Sequence, residues 1–241
     1  MKKIFAAVAS MAALLCLSSV PASAKSGLEA GYVNSSYSFK TGISSDNNYS
    51  LNGFYVGLSQ DVRLFAGLHI VPGIYYTYLT DKNDLVEMSG VEGIEGIFEL
   101  KNRRNITDHY LNVPIMFRYQ FGLPGVKLYI FAGPTLSVGL VSNQKFTVTG
   151  DFLGNNINGT LSYNFYTGKV KADDMDVMPD GIVPEYQYNR FDIQLGGGVG
   201  IEILRFLEVK VGYDCGLMNR YKGDAAELYR NQFYAAVGFR F

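Results

Sequence analysis

The feature that most constrains this chain is a two-residue alternation that recurs in eight segments, with uncharged apolar faces that are clear in the last five and weaker in the first three. In the seventh segment the apolar face holds Leu207, Val209 and Val211, and the opposite face holds Glu208 and Lys210. Successive side chains of a strand point to opposite faces, so the pattern predicts β-strands. An apolar face of this kind is either the core side of a soluble sheet or the lipid side of a transmembrane barrel.

The lengths of the connections favour the barrel. The predicted strands cover 27–38, 51–60, 64–79, 110–121, 126–146, 188–203, 206–218 and 231–241. Short turns at 61–63, 122–125 and 204–205 alternate with longer loops at 41–50, 80–107, 147–187 and 219–229. An even number of strands with short turns on one side and long loops on the other is typical of bacterial outer-membrane barrels, whereas a soluble sandwich has no reason to sort its loops by length.

The apolar faces are also long enough for a membrane. They stay uncharged for about nine to eleven residues, the length a tilted strand needs to cross a bilayer. Every backbone group must be paired in lipid, so the sheet should close on itself. We therefore predict an all-β fold: an eight-stranded antiparallel up-and-down transmembrane barrel with short periplasmic turns and long extracellular loops. Within the longest loop, 145–152 and 160–170 are predicted to form an exposed hairpin that extends the strands.

The first 24 residues predict export. Lys2 and Lys3 precede an apolar segment, and the small residues Ala22, Ser23 and Ala24 follow it. This is the layout of a secretory signal peptide cleaved after Ala24, and an N-terminal anchor is disfavoured because the apolar segment is short. The predicted organisation is a signal peptide at 1–24 and a single barrel domain at 25–241, located in the outer membrane of a Gram-negative bacterium.

Composition excludes some partners. Without Lys2 and Lys3 the 21 basic residues become 19 against 22 acidic ones, a formal charge of −3 that gives no reason to expect nucleic acid binding. The mature chain would keep one cysteine, Cys215, so it can form no internal disulfide. The 18 Tyr, 16 Phe and 27 Gly of the full chain favour β structure.

The inward faces of the predicted strands carry charges of both signs. Eight strands enclose a lumen that side chains fill, and buried charges must be paired or hydrogen-bonded. We predict a structural polar network in the lumen, formed by Glu29, Arg118, Asp192, Glu202, Glu208, Lys210, Asp214 and Arg240. A narrow conducting pore is the alternative. The glycines at 196–198 and 200 are expected to leave room for bulky facing side chains or to permit curvature.

The sequence offers little for catalysis. His69 is expected in the lumen or at an interface, and His109 follows Asp108 directly, so the two side chains point to opposite faces of a strand. The acidic run from Asp173 to Asp180 does not match the spacing of a calcium loop and reads as a solvated loop. We predict no catalytic residues, no metal and no cofactor, and we expect a protein that is not an enzyme.

Four stretches resemble the PorT-like outer-membrane β-barrel family of Bacteroidota. They are "YLNVPIMFRY" at 110–119, "FDIQLGGGVGIEI" at 191–203, "KVGYDCGLMN" at 210–219 and "RNQFYAAVGFRF" at 230–241. The resemblance implies an eight-stranded barrel without a catalytic motif, and its named member is an accessory of a protein secretion system. The terminal Phe239 and Phe241 resemble the signal by which such barrels are recognised for insertion.

The leading expectation is a small non-enzymatic barrel with a structural role or a surface-interaction role through its extracellular loops. The alternatives are a secretion accessory, a lipid-modifying outer-membrane enzyme and a narrow pore. The expected partners are outer-membrane lipid, the barrel-assembly machinery and a secretion-system or surface partner.

Overall fold

The computed structural model describes residues 24–41, 49–91, 94–152, 155–173, 187–223 and 226–241. Ten strands account for most of them: β1 (Ala24–Thr41), β2 (Tyr49–Phe65), β3 (Leu68–Val91), β4 (Ile94–Leu123), β5 (Val126–Phe152), β6 (Asn155–Asn164), β7 (Lys169–Asp173), β8 (Phe191–Ile203), β9 (Leu207–Gly216) and β10 (Ala226–Arg240). Over these same residues, no helix has the length and apolar character needed to cross a membrane.

Eight of the strands close into a ring. The order around it is β1-β2-β3-β4-β5-β8-β9-β10, and β10 pairs with β1 from Gly27↔Arg240 to Thr41↔Ala226. All neighbours are antiparallel. The predicted eight-stranded antiparallel barrel is confirmed. The predicted cleavage after Ala24 would fall one residue inside β1, and the rest of the signal segment lies outside the described residues.

The two faces of the ring follow the alternation of the sequence. Along β9, Val209, Val211 and Tyr213 are exposed on the outside, whereas Glu208 and Asp214 are buried inside. The same parity holds for β4, β5, β8 and β10 in their halves nearer the short turns. Their exposed large apolar side chains include Phe117, Tyr119, Phe121, Leu128, Ile130, Leu195, Val199, Phe233, Val237 and Phe239. These side chains form much of the lipid-facing band, so the uncharged faces of β4, β5, β8, β9 and β10 mark their membrane-crossing parts.

The prediction of a loop at 80–107 is wrong. β3 continues to Val91 and β4 begins at Ile94, and the two remain paired from Thr80↔Thr107 to Val91↔Ile94. Charged residues exclude a strand from lipid but not from backbone pairing in water, so a charged stretch continues the hairpin beyond the membrane. The predicted hairpin in the next loop is present, because β5 pairs with β6 from Asn143↔Asn164 to Phe152↔Asn155.

These continuations form a protruding sheet, which we call the outer sheet. It consists of the distal parts of β3, β4 and β5 together with β6 and β7, in that order. The ten pairs between β5 and β6 correspond to about 30 Å of strand. The opposite end of the barrel carries only tight turns, as at Gly122–Gly125 and Leu204–Arg205.

The first predicted turn is also misplaced. Instead of turning at 61–63, β2 runs to Phe65, and the turn lies at Ala66 and Gly67, which have φ of 45° and 82°. The predicted loop at 219–229 is likewise too long, because β10 begins at Ala226. Both errors matter for the lumen, because they concealed inward positions of β2 and β10.

Candidate functional site: the lumen and its extracellular cover

The periplasmic end of the lumen is closed by a network around Arg118, which β4 positions on its inward face. The Arg118 guanidinium donates to Asp61 and Glu202, at 3.2 Å each, and to Glu208. Its carbon lies 3.6 Å from the centroid of the Tyr129 ring. Arg118 is only 2% exposed, and its paired carboxylates offset the free-energy cost of burying its charge.

Arg240 completes this lower network from the last strand. Its Nε donates to Glu208 at 2.8 Å, and its Nη1 donates to Ser59 at 2.9 Å. On the other side, His69 Nδ1 lies 2.5 Å from Asp61 Oδ1. Residues from β2, β3, β4, β8, β9 and β10 therefore meet in one buried cluster at the short-turn end of the barrel.

The middle of the lumen is aromatic with one ion pair. Lys210 Nζ lies 2.8 Å from Glu29, which also accepts a hydrogen bond from Tyr55 at 2.5 Å. The Lys210 ammonium is 5.4–5.8 Å from the ring centroids of Tyr75, Phe131 and Tyr234. Aromatic faces attract a cation, so the rings and the carboxylate hold the ammonium together.

These rings lie against the barrel wall because glycines face them. The ring of Tyr234 covers Gly212, and that of Tyr129 covers Gly200; a Cβ added at Gly212 would lie 2.5 Å from the Tyr234 ring. Any larger residue at these two positions would push the ring into the lumen. The glycine run of β8 thus leaves room for facing side chains, which is one of the two roles predicted for it.

A second buried arginine, Arg230 of β10, stands above the aromatic layer. Its Nε is 3.3 Å from Asp192 Oδ2, its Nη2 donates to Ser137 at 2.9 Å, and its carbon lies 3.9 Å from the centroid of Tyr110. Arg230 and Asp192 are both fully buried. This pair marks the upper limit of the polar lumen.

A third buried arginine, Arg220, comes from the segment between β9 and β10. Its carbon lies 5.1–5.6 Å from the ring centroids of Tyr37, Tyr110 and Tyr188, and its Nη2 donates to Tyr166 at 3.1 Å. Burial raises the pKa of the Tyr166 phenol, which keeps its oxygen neutral as the acceptor. Arg220 is thus held mainly by aromatic rings rather than by carboxylates.

Three short segments cover the lumen at this end, and we call 165–168, 187–190 and 219–222 the cover. Their backbones bond to one another and to the barrel: Tyr188 N donates to Phe165 O at 2.9 Å, Asn189 N to Arg220 O at 2.6 Å, and Arg220 N to Leu228 O at 2.9 Å. The rings of Phe165 and Tyr188 stack at 4.5 Å. The cover is therefore one hydrogen-bonded unit above the buried arginines.

The structure places all eight sequence-predicted lumen residues on the inner face, seven of them buried and Lys210 partly so. It divides them among the lower network, the aromatic layer and the Arg230 pair. Sequence reasoning missed Asp61, Asp108, Arg220 and Arg230. Asp61 and Arg230 share the parity of inward neighbours and could have been found by extending the strands, whereas Arg220 depends on how the cover folds.

The two histidines do not form a catalytic arrangement with a nucleophile in the described residues. His69 belongs to the lower network, and His109 Nδ1 lies 2.5 Å from the Tyr76 hydroxyl. Among the residues that the structure describes, no cluster of His, Cys, Asp or Glu could hold a metal ion. The acidic run beyond Asp173 lies outside the described residues.

Comparison with known families gives one match. The family described as outer membrane protein beta-barrel domain matches residues 19–222. This range takes in most of the chain. A search of curated proteins finds no matching sequence.

Several solved structures are similar in outline. Ail, the attachment invasion locus protein of Yersinia pestis, is 10% identical, with 90% of this chain and 99% of that chain covered and a TM-score of 0.42. Neisserial surface protein A is 12% identical, with coverage of 89% and 97% and a TM-score of 0.37. The outer membrane protease OmpT from Escherichia coli is 10% identical, with coverage of 92% and 97% and a TM-score of 0.38. At such values no function passes from one protein to another.

Proposed function

Because the chain belongs to the outer membrane protein beta-barrel domain family, we propose that it is a closed barrel of the Gram-negative outer membrane that acts through its outer sheet. The observation that carries this proposal is the asymmetry of the molecule. One end has only tight turns, whereas the other continues as five strands in water. A surface of this size outside the membrane is the part of the molecule that can meet a partner.

The contents of the lumen support a non-conducting role. Arg118 and its carboxylates fill the lower end, and Arg230, Arg220 and the cover fill the upper end. A pore would need a continuous aqueous path, but the interior of an eight-stranded barrel is filled by side chains or is just large enough for one small ligand. Current across planar bilayers containing the purified barrel tests this point. We expect no unitary conductance, and steady channels from the unmodified chain would overturn the closed-barrel proposal.

The role of the outer sheet is testable by shortening it. A variant in which 83–104 is replaced by an Asn-Gly turn joins Lys82 to its partner Asn105 and keeps the barrel part of β3 and β4 intact. In a deletion strain it should reach the outer membrane and show heat-modifiable gel migration, yet fail to restore the deletion phenotype. The control Arg63→Ala, which changes an exposed side chain at the short-turn end, should fold and restore it. Full rescue by the shortened chain would contradict a role for this part of the sheet.

The proposal includes no catalytic role. Asp61 is the partner of His69, but it also serves Arg118 in a buried structural network, so the pair is not free to activate a nucleophile at the membrane surface. Mass spectrometry of lipid A from the deletion strain tests this point. We expect a spectrum identical to that of the parent, and a lost or gained acyl or phosphate group would identify an enzyme.

A second candidate is an accessory role in protein secretion, which the PorT-like stretches at 110–119, 191–203, 210–219 and 230–241 favour. The tight periplasmic turns offer little surface, so a secretion partner would meet the lipid-facing band or the outer sheet. Photo-crosslinkers placed at Val211 on the lipid face and at Lys171 on β7, both exposed outward, distinguish the two surfaces. Crosslinking to secretion components would support this role, and their absence across growth conditions would remove it.

A further inference from the structure

A cavity lies in the lumen between the lower network and the Arg230 pair. Its volume is about 70 Å³, counted as the space open to the centre of a water molecule, which is room for several waters or one small ligand. Rings of Tyr55, Tyr75, Tyr129, Phe131 and Tyr234 form much of its wall. Because several of these rings lie flat over glycines, they present their faces to the cavity rather than filling it.

Among the described residues, four polar side-chain atoms of this wall have no hydrogen-bond partner. One is Arg118 Nε in the lower network, and the others are the Tyr129 hydroxyl, the Thr135 hydroxyl and Gln232 Oε1, in residues that are 3%, 3% and 7% exposed. A buried polar atom without a hydrogen bond is costly, so such atoms normally face ordered water or a ligand. The cavity is therefore built to hold something polar, although its walls are largely aromatic.

The charges around the cavity indicate which polar group it would take. Glu29 is paired with Lys210, whereas Asp214 accepts hydrogen bonds from Gln232 at 3.0 Å and Tyr234 at 3.4 Å and has no ion-pair partner within the described part of the chain. The buried Asp214 carboxylate and the free Gln232 Oε1 are both acceptors. Both belong to the same acceptor-rich part of the wall, because Gln232 bonds to Asp214.

The aromatic faces fit the same kind of ligand. Three of these rings already surround the Lys210 ammonium. Ring faces attract cations more strongly when the cation is desolvated. The cations that line the cavity are already paired, Lys210 with Glu29, and Arg118 and Arg240 with carboxylates of the lower network. An anion would therefore meet the unpaired Asp214 carboxylate in a site of low dielectric, where like charges repel strongly.

We propose that this cavity binds a small protonated amine with a compact apolar body. The ammonium group donates to Asp214 and to Gln232 Oε1, and the apolar body lies against the tyrosine rings. The site is internal and separate from the outer sheet, so it stands or falls independently of the surface role.

Three probes of matched shape test the proposal: 2-phenylethylamine, 2-phenylethanol and phenylacetate. The full barrel is folded into detergent micelles with each probe present, so that entry does not depend on opening the cover. Dissociation constants follow from the increase in the free energy of unfolding in urea as the probe concentration is raised. We expect the amine to bind at least about tenfold more tightly than the alcohol, the order expected for a hydrogen bond to a charged group, and phenylacetate not to bind.

Two variants locate the binding site. Asp214→Asn should remove the preference for the amine over the alcohol while leaving the shape of the cavity unchanged. Lys210→Met removes the internal ammonium and leaves Glu29 free, so it should strengthen amine binding. Glu227→Gln alters an exposed carboxylate of β10 and serves as the control that should change nothing. Heat-modifiable gel migration establishes that each variant is folded.

Each outcome decides the proposal. If none of the three probes binds to the parent or to either folded variant, water alone occupies the cavity and the inference is overturned. Equal binding of the amine and the alcohol overturns the role of charge. Amine binding that survives in Asp214→Asn and does not tighten in Lys210→Met places the ligand elsewhere and also overturns it.

Discussion

The two ends of the lumen bury arginine in different ways. At the periplasmic end Arg118 is held by three carboxylates, those of Asp61, Glu202 and Glu208, all from strands. At the extracellular end Arg220 comes from a connecting segment and is surrounded by three tyrosine rings. The lower end is thus a charge network fixed in the barrel wall, and the upper end is an aromatic cage assembled by the cover.

The two kinds of burial predict different responses to substitution at the two ends of the lumen. A charge network fails as a unit, because removing one ion leaves its partners buried and unpaired. An aromatic cage keeps most of its stabilisation when its cation is removed, because rings can pack on one another. We therefore expect lower-end substitutions to affect the folding of the barrel and upper-end substitutions to affect mainly the cover.

The largest effect is expected for Arg118→Ala. It would leave Asp61, Glu202 and Glu208 with Arg240 as the nearest remaining guanidinium, and breaking a buried network of this kind costs about 3–5 kcal/mol. The measurement is the free energy of unfolding by urea in detergent micelles. Arg63→Ala changes an exposed arginine of the same barrel end and should leave that free energy within about 0.5 kcal/mol of the parent. Equal effects of the two substitutions would show that the lower network does not stabilise the barrel.

The aromatic layer between the two ends provides the next test. In Gly212→Ala the new Cβ would lie 2.5 Å from the Tyr234 ring, so the ring must leave the wall, and we expect a loss of about 1–3 kcal/mol. Gly238→Ala is the matched control on β10, where the nearest atom is 3.5 Å away. Urea unfolding of both variants measures the difference. A difference near zero would mean that the wall accommodates the methyl group without moving the ring.

The sequence predicted the lower end better than the upper end, for a physical reason. Arg118, Glu202 and Glu208 lie in segments whose outer face meets lipid, so an uncharged face marks the strand and parity then assigns the inner residues. On β1 to β3 the inner face is itself apolar, as at Val33, Val71 and Leu79, so neither face stands out. The alternation is weak there although the strands are regular.

The upper end could not be predicted from the sequence because its strands lie outside the membrane, where no lipid requires one face to be uncharged. Beyond the membrane both faces of a strand tolerate charge, so the continuation of β3 and β4 looked like a loop. The place of Arg220 is set by backbone bonds among three segments distant in the chain, such as Asn189 N to Arg220 O. No local pattern encodes such a contact.

A smaller effect on stability is expected for Arg220→Ala. The barrel strands keep their pairing, and losing a desolvated cation–π site costs about 2 kcal/mol or less. The informative measurement is hydrogen exchange of the backbone N–H groups of Tyr188, Asn189 and residue 220. Their exchange should accelerate more than that of the paired N–H groups of β4. Arg220→Lys, which keeps the cation, should restore part of the protection. Acceleration spread evenly over the ring strands would show that the cover and the barrel unfold together.

The smallest equilibrium effect should follow deletion of Phe241, and it belongs to the lower end. The Phe241 backbone donates to Ser26 O at 2.9 Å and accepts from Ser26 N at 3.0 Å, directly beside Arg240. Phe241 is 76% exposed, so water can replace these two bonds, and we expect the deletion to cost only about 0.5 kcal/mol for each. Once folded in micelles, the truncated chain should therefore lose little stability, and the protection of the cover should not change.

In cells we expect a much larger loss of assembled barrel, because Phe239 and Phe241 are the predicted recognition signal. The amount of barrel in outer-membrane fractions measures this loss. The substitution Phe241→Ala keeps both backbone bonds and separates the two causes: poor assembly with normal stability assigns the defect to recognition of the side chain. Normal insertion of both variants would contradict the assembly signal and leave Phe241 only its part in closing the seam.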